Sequence, residues 1–192
     1  MPGNHHDGTC QQCEDQTPEF DRTIAAVDYD GPWPGLLTKL KFHGATALAR
    51  PLATLLAECV HQRRASADLM IPVPLSRQRM SERGYNQSWL LARHLERQLA
   101  IPARMDVLTR TQHTQRLMNL SAEERALQIR AAFDIQTPGS SAIEGKHVAI
   151  IDDVMTTGAT LDACAHILLT SGARSVSAWV VARTPRPISP DI

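Results

Sequence analysis

Val148-Ala149-Ile150-Ile151-Asp152-Asp153-Val154-Met155-Thr156-Thr157-Gly158-Ala159-Thr160 sets four apolar residues directly before two adjacent carboxylates, with a hydroxyl-rich loop and one glycine after them. An amphipathic segment follows, carrying Leu161, Cys164, Ala165, Leu168 and Leu169 at helical spacing. A continuous apolar run followed by a 3.6-residue period predicts a buried parallel strand and its crossover helix. The polar residues then stand at the carboxyl end of the strand, where open α/β sheets bind their ligands.

The chemistry of this loop points to a phosphorylated sugar. Thr156, Thr157 and Thr160 supply hydroxyls, Gly158 lets the backbone approach a ligand closely, and the helix beginning near Thr160 presents unpaired N–H groups and the positive end of its dipole. Asp152 and Asp153 repel a phosphate but accept hydrogen bonds from the 2′ and 3′ hydroxyls of a ribose whose 5′-phosphate occupies the loop. The bland alternative is a buried strand that ends in a solvated Asp-Asp turn. No Walker-type phosphate loop is present in the chain.

Working outward, residues 23–29 read as a strand, a Gly31-Pro32-Trp33-Pro34 breaker follows, and a short helix carrying Lys39 and Lys41 is expected from Gly35 to Phe42. Leu48, Leu52, Leu55, Leu56, Cys59 and Val60 form one helical face, which assigns Cys59 to the core. Residues 68–76 hold a second apolar strand; Pro72 and Pro74 end it about Ile71, in a fixed loop. Arg79 and Arg83 are expected in that loop, before a helix through Leu91, Leu95 and Leu99. Between positions 77 and 116 eight arginines stand against three acids (Glu82, Glu96 and Asp106), a local balance of +5. At Arg79 and Arg83 this charge suits a pyrophosphate, whose oxygens match the planar guanidinium fork, whereas Arg93 and Arg97 read as solvated helix surface. Residues 108–116 read as a basic mobile loop over the site. Ser121-Ala122-Glu123-Glu124 is a capping box opening a helix that ends near Phe133. Residues 138–141 read as a plain loop, Gly172 as a helix C-cap, His166 as a surface histidine, and residues 176–182 as a last strand.

Two blocks of this sequence carry a family resemblance. The run from Ile150 to Thr160 resembles the phosphoribosyl pyrophosphate (PRPP) signature of type I phosphoribosyltransferases. Pro72-Val73-Pro74-Leu75, Arg79 and Arg83-Gly84-Tyr85-Asn86-Gln87 are similar to the pattern of the ComF (competence protein F) family of phosphoribosyltransferase-like proteins. The resemblance covers roughly residues 23–183. It implies an α/β type I phosphoribosyltransferase fold, a mostly parallel central sheet flanked by helices. It also implies PRPP binding by Asp152, Asp153, Met155, Thr156, Thr157, Gly158, Ala159 and Thr160, with Asp152 and Asp153 catalytic. The pyrophosphate end falls to Pro74, Leu75, Ser76, Arg79 and Arg83. The implied reaction is Mg2+-assisted transfer of phosphoribosyl to a nitrogen acceptor base, with release of pyrophosphate, in a DNA-uptake (competence) setting. The alternative readings are a non-catalytic competence accessory protein that binds single-stranded DNA, with a competence helicase as candidate partner, and a PRPP sensor. The chain departs from the family pattern at Leu117, where glutamine is usual, and at Gln128, where asparagine is usual; both positions bear on the lid.

Length and composition bound the rest. At 192 residues with 43% hydrophobic content, the chain suits one α/β domain over 21–185, with a short appendage over 1–20 and a tail over 186–192. Lys+Arg and Asp+Glu are 20 each, so global charge does not argue for nucleic acid. No run of 18 apolar residues exists, and the first residues are neither basic nor apolar, which makes the cytoplasm the expectation. Four cysteines in a chain of this length do not make a disulfide framework. Cys10 and Cys13 have the spacing of half a structural zinc site, with His5 or His6 as further candidates. The family commonly carries a four-cysteine zinc element there, so the amino terminus looks shortened by comparison.

Overall fold

In the computed structural model, which describes residues 17–111 and 128–184, the apolar run before the two aspartates is a central strand of a four-stranded parallel sheet. The strands in chain order are β1 (Arg22–Asp28), β2 (Leu69–Pro72), β5 (His147–Met155) and β6 (Ser175–Arg183), arranged β1-β6-β5-β2. Strands β3 (Leu108–Arg110) and β4 (Phe133–Ile135) form a separate antiparallel pair. The helices are α1 (Trp33–Phe42), α2 (Ala49–Gln62, after a 3-10 turn at Thr46–Leu48), α3 (Arg77–Arg83), α4 (Gln87–Leu99), α5 (Thr137–Ile143) and α6 (Ala159–Thr170).

Both faces of the sheet are covered, which is why its inner strands read as unbroken apolar runs instead of alternating ones. Val148 and Ile150 of β5, with Val176, Ala178 and Val180 of β6, join a core built with Leu161, Cys164 and Leu168 of α6 and with Val107, Leu108 and Phe133. Ala149 and Ile151, with Trp179 and Val181, join the opposite core against α1, α2 and α4. The two-residue period of a strand thus serves two cores from one sequence. Each fully buried Val, Leu or Ile side chain contributes about 1.5–3 kcal/mol of transfer free energy.

Pro72 ends β2 on schedule. The last pairing of β2 with β5 is Pro72 with Ile151, and the chain then turns off after the Val73 N–H donates to the Ile151 carbonyl at 2.9 Å. Strand β5 continues beside β6 as far as Met155. The departure of β2 therefore opens a crevice beside Asp152 and Asp153.

Four readings of secondary structure need correction. Residues 77–83 form helix α3 instead of a loop: Ser76 caps it by accepting from the Arg79 N–H at 3.3 Å, and Gly84 closes it at φ +78° in the left-handed region. Residues 138–141 belong to helix α5, which has proline in its first turn. Gly139 is required there, because a Cβ would stand 2.9 Å from the Val107 Cα. Phe133 opens β4 instead of closing a helix; it pairs with Arg110. Residues 108–110 are correspondingly a strand, not part of a loop. The chain is also already packed on the domain before residue 21, since Phe20 lies in the core and the Glu19 N–H donates to Asp162 Oδ1 at 2.8 Å. Cys10, Cys13, the capping box at 121–124, Leu117 and the tail at 186–192 lie outside the described residues, whereas Gln128 is helical. Cys59 is half-buried and Cys164 buried, both as free thiols. No helix among the described residues is long and apolar enough to cross a membrane.

Candidate active site

A cleft of about 370 Å³ opens at the carboxyl ends of β2 and β5. Its charged lining residues are Asp152, Asp153, Glu82, Lys41, Arg79, Arg83 and Arg110. They come from four places in the fold: the end of β5, helix α3, the last turn of α1, and β3. Each location follows from a local signal. The β5 carboxylates sit where β2 has left the sheet; the arginines ride on the helix that Ser76 starts.

The two aspartates are held differently. Asp152 Oδ1 accepts from the Ser88 hydroxyl at 2.8 Å and from the Asp153 backbone N–H at 2.9 Å. Burial, followed by the neighbouring Asp153 charge, pushes its carboxyl up from 3.8 to about 7, against the opposing effects of the Ser88 and Asp153 N–H hydrogen bonds and of Lys41. Asp153 is 1% exposed, and its Oδ2 has no hydrogen-bond donor among the described residues. Lys41 Nζ lies 2.9 Å from that oxygen, an ion pair off the alignment of a hydrogen bond.

Asn86 fixes the partner of Asp152. Its side-chain oxygen accepts from the N–H groups of Ser88 and Trp89 at 2.9 and 3.2 Å, which starts α4, and its Nδ2 donates to the Val73 carbonyl at 3.0 Å. One buried amide thereby ties the helix that carries Ser88 to the turn where β2 ends. Asn86→Ala removes the cap and leaves a buried carbonyl unpaired, at a cost of about 2–3 kcal/mol. The expected result is a fall in Tm of roughly 5–10 °C by calorimetry; an unchanged Tm would contradict this role.

The loop after β5 follows the expected pattern with one refinement. Gly158 sits at φ +83° as the residue before α6, and a Cβ there would meet only ordinary contacts, the nearest at 3.6 Å. It is therefore the backbone conformation, not space, that favours glycine. Thr156 and Thr157 are exposed, Thr160 is half-buried and lines the cleft, and the Thr157 hydroxyl accepts from the Ala159 N–H at 3.4 Å. The Met155 side chain points into the core beside Phe20, and its sulfur accepts from the Thr23 hydroxyl at 3.8 Å.

On the opposite wall, Pro74, Leu75, Arg79 and Arg83 line the cleft, whereas Ser76 is buried as the helix cap. Arg83 is braced: its guanidinium donates to Gln87 Oε1 and lies 5.0 Å over the Phe42 ring. The Tyr85 hydroxyl donates to the Leu40 carbonyl, joining α1 to the same wall. Lys41, Ser88 and Arg110 were not singled out from sequence as site residues. Arg110 falls in a stretch whose composition reads as a loop, and Lys41 and Ser88 carry no local motif; their places in the site come from contacts with residues far away in the chain.

Comparison with known proteins places this arrangement. The phosphoribosyl transferase domain family matches residues 86–191, and DNA utilization protein YhgH of Escherichia coli strain K12 is 35% identical over 189 residues, 96% of this chain and 82% of that protein. The chain belongs to the phosphoribosyltransferase-like ComF family. Competence protein F of Haemophilus influenzae is 33% identical to this ComF-family chain over 179 residues, 91% of this chain and 78% of that one. Among solved structures, the glutamine PRPP amidotransferase from B. subtilis complexed with ADP and GMP superposes with a TM-score of 0.51 at 16% identity. That superposition covers 74% of this chain and 30% of the amidotransferase, and it shows a shared fold. The central parallel sheet flanked by helices is the type I phosphoribosyltransferase architecture expected from the sequence.

Proposed function

We propose that this protein binds PRPP and transfers its phosphoribosyl group to a nitrogen acceptor, releasing pyrophosphate, as part of DNA uptake. The observation that carries the reading is a single cleft with two buried adjacent carboxylates on one wall and Arg79 and Arg83 on the other, flanked by a hydroxyl loop that runs into a helix N-terminus. A ligand with a ribose in the middle and phosphate at both ends satisfies all three. The DNA-uptake setting rests on the names of the relatives, DNA utilization protein and competence protein F.

In this scheme Asp152 and Asp153 accept from the ribose hydroxyls. Thr156, Thr157, Thr160 and the first N–H groups of α6 receive the 5′-phosphate, while Arg79 and Arg83 hold the pyrophosphate. The bond from C1′ to pyrophosphate breaks with its electron pair leaving on the pyrophosphate oxygen. The acceptor nitrogen then forms the new bond to C1′ and loses its proton. Positive charge builds on the sugar and negative charge on the leaving pyrophosphate, so the buried carboxylates stabilise the first and the fixed cations the second by position, with no covalent nucleophile.

Magnesium fits the donor set. A hard cation of this kind is bound through one or two carboxylates together with substrate phosphates. The buried Asp153 Oδ2, which has no hydrogen-bond donor among the described residues, is such an oxygen, and Asp152 stands beside it. When bound, the ion would neutralise charge on the leaving pyrophosphate. Among the described residues no three His, Cys, Asp or Glu side chains converge on a dedicated all-protein metal cage.

The test is pyrophosphate release from PRPP with Mg2+ and a panel of nucleobases. Release with at least one base is expected. PRPP binding without release for any base would replace transfer with PRPP sensing.

A further inference from the structure

Lys41 makes an ion pair with one member of the aspartate pair. It comes from the last turn of α1, its side chain is 26% exposed, and its ammonium sits 2.9 Å from an Asp153 oxygen that has no hydrogen-bond donor among the described residues. Arg79 and Arg83 belong to α3, where Arg83 is engaged with Gln87 and Phe42, and Arg110 lines the cleft from β3. A carboxylate with 1% exposure carries a large desolvation cost, which a positive charge beside it offsets. A lysine supplies a compact charge on a flexible stem, which leaves more easily than a guanidinium held by a planar fork.

We infer that Lys41 is a resident counter-cation that competes with a divalent metal for Asp153, and so sets the metal dependence of ligand binding in this cleft. Without ligand, the ammonium neutralises the carboxylate and keeps the site formed. When a metal arrives with the ligand, Lys41 is released towards the phosphates, which carry more negative charge than Asp153 alone. The second half of this sequence rests on the PRPP reading of the cleft; the first half does not.

The experiment compares wild type, Lys41→Gln, Lys41→Arg and the exposed control Lys39→Gln. Thermal unfolding is followed in metal-free buffer, in MgCl2, and in NaCl of equal ionic strength. In metal-free buffer Lys41→Gln is expected to melt below wild type. Mg2+, but not NaCl, restores most of that loss, while wild type, Lys39→Gln and Lys41→Arg respond little. The double variant Lys41→Gln/Asp153→Asn removes both charges; it should regain the lost stability and lose the Mg2+ response. Equal Mg2+ responses in wild type and Lys41→Gln would overturn the inference. So would a double variant as unstable as Lys41→Gln, or a Lys41→Arg protein that behaves like the glutamine variant.

A second measurement titrates Mg2+ at fixed PRPP. The midpoint for PRPP binding should fall by about tenfold in Lys41→Gln, within the usual range for coupling between two ligands of one site. An unmoved midpoint overturns the role of Lys41 and leaves the PRPP reading standing. Failure of wild type to bind PRPP at any Mg2+ concentration overturns that reading, while the melting series still decides whether Lys41 and Mg2+ share Asp153.

Discussion

Asp152→Asn is expected to be more stable than wild type above pH 7 and to bind PRPP far more weakly. The stability half follows from linkage. In the folded protein the Asp152 carboxyl titrates at about 7, against 3.8 for an ordinary side chain, because it is buried beside Asp153. A raised folded value means that the proton stabilises the fold. That contribution is complete below about 3.8, declines as pH rises, and is exhausted above about 7. Asparagine stays neutral throughout, and its oxygen still accepts from Ser88 and from the Asp153 N–H. The Tm difference between variant and wild type should therefore be small near pH 4 and grow up to pH 7. It should then level off, with a ceiling of about 4 kcal/mol from the full shift. The binding half runs the other way: the carboxylate that costs stability is the one proposed to accept from the ribose. A Tm difference that is flat with pH would mean that Asp152 ionises like an exposed carboxylate.

The second large effect is expected at the opposite wall. Arg79→Ala/Arg83→Ala should weaken PRPP binding by about 10²–10³-fold or more, since each charge-assisted hydrogen bond is worth about 1.5–3 kcal/mol. Ribose 5-phosphate lacks the pyrophosphate and should bind this variant almost as well as it binds wild type. Competition titration with both ligands checks this. Equal losses for the two would place the arginines at the 5′-phosphate end and reverse the proposed orientation. Arg83 also stacks on Phe42 and bonds Gln87, so Arg79→Ala alone, on an exposed side chain, separates charge from packing.

The site's backbone was legible in sequence because its signals are local. Four apolar residues, two acids and a glycine before a helix specify a strand, a turn and a cap within one short run, and β5, Gly158 and α6 follow that order. The errors came where a local signal had two readings. Pro72 and Pro74 rightly ended β2, but the arginine-rich segment after them looked like a loop because α3 is only 7 residues long, too short to show a period. Ser76 and Gly84, its cap and its stop, were the available signals. Phe133 and Ile135 alternate as a strand does, yet they adjoin a segment that begins with a capping box, and the helical period was carried too far. Lys41 had no signal to read. Its meaning is a contact with a carboxylate on strand β5, and only the packing of α1 over the sheet brings the two together.

The central claim is that Asp152 and Asp153 hold the ribose of PRPP. Calorimetric titration of PRPP with Mg2+ into wild type and into Asp152→Asn/Asp153→Asn tests it most directly. The account predicts saturable binding to wild type and loss of measurable binding in the folded double variant. PRPP binding to the double variant as tightly as to wild type would contradict it.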